Sequence, residues 1–135
     1  KHAPIILTPH IQEMARLIEK TKETIMKNPM EEAKSFTDEY NVTLVLKDAR
    51  TIVTKNQELL YVNTSGNSGM ATGGSGDVLA GIIGGLIAQK MDVFEAAKLG
   101  VYLHGSAGDA AARVKGSYSM LATDILDGIA EVTRG

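Results

Sequence analysis

The sequence predicts an α/β protein with a mostly parallel sheet flanked by helices. Two short apolar runs, "APIILT" and "VTLVLK", are rich in β-branched residues and are typical of buried strands. The segment between them, and much of the second half of the chain, repeats apolar residues at the spacing of an amphipathic helix. Strands that alternate with helices favour layers of helices around a parallel sheet.

Each predicted element follows from local sequence signals. The first strand ends at Thr8, because a residue that precedes proline avoids helical backbone angles. The long helical segment after it is interrupted at Asn28, since Pro29 suits the first turn of a new helix. The polar turn "KNQE" joins two short strands into a hairpin. The predicted strands are 4–8, 42–47, 51–54 and 59–63, and the predicted helices are 10–20, 21–40, 77–89, 93–114 and 123–133.

The helix predicted over 77–89 contains three glycines, Gly81, Gly84 and Gly85. Each glycine makes a helix about 1 kcal/mol less stable than alanine would. Apolar side chains cover most of the remaining surface of this helix. We therefore expect a central, buried helix whose glycines allow close packing on a neighbour.

The helix predicted over 93–114 includes the stretch "YLHGSAGDAA". Gly105 and Gly108 in this stretch are interpreted as close-packing positions. His104 is interpreted as a structural residue, because packing between helices explains a histidine at that position.

Composition excludes several classes of function. The chain has 135 residues, with 44% hydrophobic and 22% charged residues, which suits one globular domain. Its formal net charge of −2 leaves no broad basic surface for nucleic acid. It has no cysteine, which excludes disulfides and thiolate sites and is compatible with the cytoplasmic location we expect.

The ends and the apolar stretches of the chain give two further expectations. The longest apolar stretch, 78–88, is too short to span a bilayer, and no secretion signal is seen, so we expect no membrane partner. The chain also opens directly inside an apolar strand. We therefore expect it to be part of a longer domain.

The loop that leads into the helix at Asp77 has the composition of an anion site. Gly73, Gly74 and Gly76 leave the main-chain N–H groups uncovered, and the first N–H groups of a helix attract phosphate. A carboxylate beside a phosphate would repel it, unless Asp77 takes a proton from a hydroxyl that attacks phosphorus or helps to hold a metal ion. The alternative is a glycine-rich turn in which Asp77 is an ordinary helix N-cap.

Two motifs in this chain resemble signatures of the NAD(P)H-hydrate dehydratases, a family of the ribokinase-like superfamily. They are "ILTPHIQEMARL" and "GMATGGSGDVLAG", with the fitting segment "LVLKDART" between them. The resemblance covers essentially the whole chain but only the carboxyl-terminal half of such an enzyme. It implies a partial ribokinase-like domain, with residues 1–135 forming its carboxyl-terminal part without an internal boundary.

The resemblance also implies an activity. The family restores NADH or NADPH from the S epimer of its hydrated form, and the "MAT" wording resembles the bacterial branch, which uses ADP rather than ATP. The ring hydroxyl would attack the terminal phosphate of the nucleotide, and AMP and phosphate would be released. Magnesium is expected to accompany the nucleotide, although no carboxylate cluster marks a dedicated metal site.

The resemblance assigns roles to individual residues. Asp77 would be the catalytic base and would contact the hydrated substrate together with His10. The residues expected to bind the nucleotide are Lys47, Asp48, Ala49, Arg50, Thr51, Gly73, Gly74, Ser75 and Gly76. As isolated residues, His10 would be a helix-start residue and Lys47 a solvated lysine at a strand end.

Three positions depart from the family pattern. Gln12 and Asp48 stand where glycine is usual, and Ser68 stands where proline is frequent. Asp48 places a negative charge near the expected nucleotide phosphates. These departures affect the expected nucleotide preference more than the expected reaction.

Two other functions remain open from the sequence. A small-molecule kinase of the same superfamily, of the thiamine-precursor or sugar type, would share Asp77 and the glycine loop. A non-catalytic nucleotide-binding fragment is the third interpretation, because half of the expected domain is absent. The exposed edge expected at the opening strand predicts a homo-oligomer or association with the missing amino-terminal half.

Overall fold

A computed structural model describes residues 3–133, apart from the side chain of Ser68. These residues form two compact units that divide after Asn63. The prediction that residues 1–135 belong to one domain is not tested by this division and stays a prediction. None of the helices in the described part of the chain combines the length and apolarity needed to cross a membrane.

The first unit contains every described strand and three helices, and the second unit is helical. The strands are β1 (Ile6–Leu7), β2 (Thr43–Leu46), β3 (Ile52–Thr54) and β4 (Tyr61–Val62). The helices of the first unit are α1 (Ile11–Ile18), α2 (Lys22–Lys27) and α3 (Pro29–Glu39). The second unit has a 3₁₀ turn (Ser68–Met70) and helices α4 (Ser75–Ala88), α5 (Val93–Lys115) and α6 (Ala122–Thr133).

The four strands form one sheet in the order β1-β2-β3-β4. Only β1 and β2 are parallel, while β2–β3 and β3–β4 are antiparallel, so the prediction of a mostly parallel sheet is wrong for these strands. The reason is connection length, because a parallel crossover needs a dozen or more residues. Residues 8–42 can supply one between β1 and β2, whereas residues 47–51 only allow a return. The predicted hairpin of β3 and β4 is confirmed.

The core of the first unit lies between the sheet and its helices. All of β2 is buried, which explains its continuous apolar sequence. Met14 of α1, Ile25 of α2 and Ala33 of α3 are fully buried in the same cluster as Leu44 of β2. The break predicted at Asn28 is confirmed, because Pro29 begins α3.

The second unit is built around α5. Helix α6 packs closely on it, with Gly128 against the Ala107 carbonyl, where an added Cβ would lie 2.8 Å from the carbonyl carbon. Gly100 of α5 gives α4 its close approach, because a Cβ there would lie 2.6 Å from Cγ1 of Ile83. Close packing of these helices therefore depends on glycines of α5 and α6.

The glycines of α4 do not have the packing role predicted for them within this chain. Gly81, Gly84 and Gly85 are exposed, and an added Cβ at each would meet no atom of the described residues within 4 Å. The buried residues of α4 are Ser75, Leu79 and Ile83. We call the exposed side formed by Gly81, Gly84 and Gly85 the glycine face of α4.

Candidate active site

The predicted site residues form two groups, one in each unit. His10 and Lys47 meet in the first unit, where β1 and β2 end side by side. The two residues form a parallel bridge, and the Lys47 N–H donates to the Pro9 carbonyl at 2.8 Å. Ligands of α/β proteins bind outside the carboxyl ends of parallel strands, and this edge has that position.

His10 is the N-cap of α1. Its Nδ1 accepts a hydrogen bond from the Glu13 N–H at 3.1 Å, and the Glu13 carboxylate accepts one from the His10 N–H at 3.0 Å. This reciprocal pair is a capping box. The His10 side chain is 53% exposed, so the ring is also open to solvent. The structure thus displays the helix-start role of His10, and its substrate contact stays a prediction.

The Glu13 carboxylate responds electrostatically to this arrangement. The hydrogen bond from the His10 N–H lowers the pKa of Glu13 from its ordinary value of 4.5. Nearby positive charges, Lys47 among them, lower this pKa further. The positive charge of Lys47 is therefore close enough to the β1–β2 edge to stabilise a negative charge there.

Residues 47–51 form the short loop from β2 to β3. Asp48, Ala49 and Arg50 are exposed, and the Thr51 hydroxyl donates to the Asp48 carbonyl at 3.3 Å. A side chain of the loop thus holds its backbone, while residues 48–50 face solvent. The predicted nucleotide contacts of these residues are not tested.

The second group lies where the glycine loop becomes α4. The helix begins at Ser75, two residues before the predicted start, and Gly74 is its N-cap with φ 88° and ψ −10°. This left-handed conformation favours glycine. No side chain caps the helix, while the Ser75 N–H donates to the Thr72 carbonyl at 3.2 Å. No described residue accepts a hydrogen bond from the N–H groups of Gly76 and Asp77, so both are available to an external acceptor.

The space in front of this turn is open. Among the residues described, an added Cβ at Gly73 would meet nothing within 4 Å, while one at Gly74 would lie 3.3 Å from the Ala122 Cβ. Gly73 and Gly74 are exposed, whereas Ser75 is buried and its Oγ lies 3.2 Å from Nε2 of His104. The contact gives His104 a structural role in the start of α4.

Asp77 is the third residue of α4 and is not its N-cap, so the ordinary-cap interpretation is wrong. Its side chain is exposed and makes no hydrogen bond or ion pair with any residue the structure describes. A carboxylate in the first turn is favourable with the helix dipole. It is also free to accept a proton from a ligand.

A dedicated metal site does not fit the described residues. Across residues 3–133, no three histidine, aspartate or glutamate side chains come together as metal ligands. Asp48 and Asp77 are the carboxylates of the predicted site, and they belong to different units. Any magnesium ion would need most of its oxygen ligands from the nucleotide and from water.

Sequence analysis missed how the glycine loop is attached to α5. The Asp109 carboxylate accepts hydrogen bonds from the Gly66 N–H at 3.0 Å and from Nδ2 of Asn67 at 2.9 Å. Partners so far apart in the chain leave no spacing signal. The one available clue was helical geometry, which places Gly105, Gly108 and Asp109 on one side of α5.

Comparisons with known sequences agree with the motifs. The chain is 48% identical over 133 residues to the bifunctional NAD(P)H-hydrate repair enzyme Nnr of Moorella thermoacetica, covering 98% of this chain and 25% of that protein. It is 47% identical over 105 residues to the ADP-dependent (S)-NAD(P)H-hydrate dehydratase of Neisseria meningitidis, covering 78% of this chain and 36% of that protein. The chain thus spans a quarter to a third of these relatives.

Solved structures confirm the ribokinase-like α/β fold. An ADP/ATP-dependent NAD(P)H-hydrate dehydratase from Bacillus subtilis, co-crystallised with ATP and Mg²⁺, matches with a TM-score of 0.94 and 29% identity, over 99% of this chain and 50% of that one. A ribokinase-like superfamily protein from Enterococcus faecalis matches with a TM-score of 0.81 and 35% identity, over 96% of this chain and 43% of that one. The family model described as NAD(P)H-hydrate dehydratase matches residues 1–131, and the chain belongs to that family.

Proposed function

We propose that the protein containing this chain dehydrates the S epimer of hydrated NADH and NADPH, with ADP, or ATP, as phosphoryl donor. The carrying observation is the start of α4, where an uncapped first turn and the exposed Asp77 lie together. The name of the Neisseria relative specifies ADP and the S epimer, which supports both details. The result would be repair of a damaged metabolite.

The proposed reaction has two steps. In the first, the hydroxyl of the hydrated ring attacks the terminal phosphorus of ADP, Asp77 accepts the hydroxyl proton, and the bond to the bridging oxygen breaks to release AMP. In the second, phosphate leaves with the C–O bonding electrons, and loss of a proton from the adjacent ring carbon forms the double bond. Phosphorylation is needed because hydroxide is a poor leaving group.

The N–H groups of Gly76 and Asp77 would hold the transferred phosphoryl group. They would stabilise the charge on its oxygens in the transition state without reorganising. Lys47 would supply a positive charge to the nucleotide phosphates, and the backbone of 48–51 would lie along the nucleotide. His10 would present Nε2 to the hydrated substrate, since Nδ1 already caps α1.

The test uses the intact protein, hydrated NADH and either ADP or ATP. Recovery of the absorbance of reduced nicotinamide supports the proposal, and a phosphorylated product from another alcohol would instead identify a small-molecule kinase. Nucleotide binding without either product would leave only a binding function. Faster turnover with ATP than with ADP would overturn the proposed donor preference.

Asp77→Asn tests the catalytic base directly. We expect turnover to fall by about 10²- to 10⁴-fold, the usual contribution of a general base. The Kd for ADP should stay within about twofold, because the N–H groups are retained. Asp127→Asn is the matched control, since Asp127 is an exposed aspartate of α6 with no hydrogen bond or ion pair to a described residue. Unchanged turnover in Asp77→Asn would remove Asp77 from this role.

We also propose that this chain works as part of a larger ribokinase-like domain, whose remaining half covers the glycine face of α4. The match with the Bacillus structure covers 99% of this chain but 50% of that structure, which supports a further half of the domain. Three exposed helical glycines without a local neighbour are otherwise unexplained. A homo-oligomer is the other arrangement that could cover this face. The cytoplasmic location of the protein stays a prediction.

A further inference from the structure

The loop before the glycine turn is held by side chains rather than by a sheet. Asp109 of α5 accepts from both the Gly66 N–H and Asn67 Nδ2. The Ser65 Oγ donates to the Tyr102 carbonyl of the same helix at 3.1 Å. The carboxylate of Asp109 thus receives both a backbone and a side-chain donor of this loop.

The surface of α5 is shaped for this loop. An added Cβ at Gly105 would lie 2.8 Å from the Ser65 carbonyl carbon, and one at Gly108 would lie 2.6 Å from the Met70 Cε. Gly66 itself has φ 103°, a conformation that favours glycine. The two helical glycines, Gly105 one turn before Asp109 and Gly108 next to it, therefore let the loop lie directly on α5.

Hydrogen bonds continue from Asp109 to the first turn of α4. Asn67, held by Asp109, accepts from the Gly69 N–H through its Oδ1 at 3.0 Å and from the Met70 N–H through its carbonyl at 3.2 Å. The Met70 carbonyl accepts from the Thr72 N–H at 2.8 Å, and the Thr72 carbonyl accepts from the Ser75 N–H at 3.2 Å.

The path also returns to α5. The Ser75 Oγ lies 3.2 Å from Nε2 of His104, a turn and a half before Asp109 on the same helix. The segment 66–75 is thus tied to α5 at both ends. A shift at Asp109 would pass along short, consecutive bonds to the N–H groups at the start of α4.

We propose that Asp109 is a positioning residue for the phosphoryl-binding turn, acting through Asn67. The inference rests on the proposed function, because it assumes that the first turn of α4 receives the transferred phosphoryl group. Asp109 does not touch the reacting atoms in this scheme. It fixes the loop so that the Gly76 and Asp77 N–H groups keep one orientation.

The hydrogen-bond pattern predicts a specific rescue. In Asp109→Asn, one of three donors, Gly66 N–H, Asn67 Nδ2 or Gly69 N–H, loses its acceptor whichever way the amides turn. In Asn67→Asp, two carboxylates face each other. The double variant Asn67→Asp/Asp109→Asn exchanges the two groups. The amide introduced at position 109 can accept from the Gly66 N–H and donate to the carboxylate introduced at position 67, which still accepts from the Gly69 N–H. The double variant keeps all three hydrogen bonds and the net charge.

The experiment measures dehydration kinetics of the intact protein together with hydrogen exchange of residues 66–77. We expect Asp109→Asn to lower kcat by about 10- to 100-fold, as a displaced catalytic geometry does, with a KM for hydrated NADH within about threefold. Exchange in 66–77 should accelerate while exchange in α6 does not. The double variant should return kcat to within about threefold of the unaltered protein and restore protection, and Asp127→Asn should match the unaltered protein.

The outcomes separate this inference from the proposed function. An unaltered protein without dehydratase activity would refute the proposed function, and the exchange data would then support the attachment only if the double variant restores protection. An active protein in which Asp109→Asn keeps its kcat would overturn the positioning role. If Asp109→Asn does not fold, a folded double variant with low kcat would overturn it as well.

Discussion

The fold commits one ring nitrogen of His10 to capping α1. Because Nδ1 accepts from the Glu13 N–H, the neutral ring carries its proton on Nε2, which lies 3.3 Å from the Glu13 carboxylate. A ligand at the β1–β2 edge would therefore meet a hydrogen-bond donor. The sequence predicted that His10 is either a cap or a contact, and the structure makes these roles compatible. The sequence could not predict the contribution of Glu13, because its carboxylate binds a backbone N–H group.

Glu13 predicts an acid-sensitive part of the stability. Its pKa is lowered in the folded protein, so its contribution to the free energy of unfolding is present above the ordinary value of 4.5 and is lost as pH falls through the lowered value. We expect Glu13→Gln to be less stable than the unaltered protein at neutral pH. The difference in melting temperature should disappear in acid. A difference that stays constant from neutral to acid pH would contradict the assignment.

Thr54 offers a second test at a single residue. Its side chain is fully buried, and its hydroxyl has no hydrogen-bond partner among the described residues. An unpartnered buried hydroxyl costs about 1–3 kcal/mol, so Thr54→Val should raise the free energy of unfolding by about 1 kcal/mol. Thr37→Val is the control, because the equally buried Thr37 hydroxyl donates to the Ala33 carbonyl at 3.3 Å. Denaturant titration should show a gain only for Thr54→Val.

At the scale of elements, the sequence predicted the kind and order of nearly every helix and strand. Differences lie at the ends, where local signals compete. α4 starts at Ser75, directly after the left-handed cap at Gly74, whereas the low helix propensity of serine and glycine placed the predicted start later. The prediction of a mostly parallel sheet is wrong only for the described strands, because a short connection such as 47–51 joins neighbouring strands in antiparallel order.

The contact between α5 and α6 predicts a difference between two glycines. Gly128→Ala would push a Cβ against the backbone carbonyl of Ala107, which cannot move alone, so we expect a loss of about 1–3 kcal/mol. In Gly108→Ala, the atoms nearest to the added Cβ belong to the Met70 side chain, which can adopt another rotamer. Melting temperatures should therefore fall clearly more for Gly128→Ala. Equal decreases in melting temperature would mean that α5 and α6 can shift apart as easily as the Met70 side chain changes its rotamer.

For the whole molecule, the structure agrees with the predicted α/β fold, and the predicted site residues lie in two groups. The sequence placed His10 and Lys47 each close to the end of a predicted strand, and the bridge between them agrees with that placement. It could not reveal the Asp109 attachment, since the partners approach only when α5 packs on the loop. The dehydratase activity of the protein that contains this chain is a proposal.

The glycine face of α4 tests whether more chain packs on this one. If the face is open in the intact protein, Gly84→Ala should stabilise it by about 1 kcal/mol through helix propensity. If the remaining half of the domain covers the face, overpacking should destabilise it by about 1–3 kcal/mol. We expect destabilisation, measured as a lower melting temperature of the intact protein. A higher melting temperature would show that nothing lies close to this face.

Strand β1 closes one side of the described sheet and pairs there only with β2. A strand at such a border carries main-chain groups that another strand can join. The segment just before β1 is therefore a suitable position to divide the protein for fragment complementation, in which two separately produced pieces of a polypeptide reassemble by strand pairing. If a strand of the remaining half pairs with β1, cutting the protein just before β1 would give two pieces that can reassemble at this border.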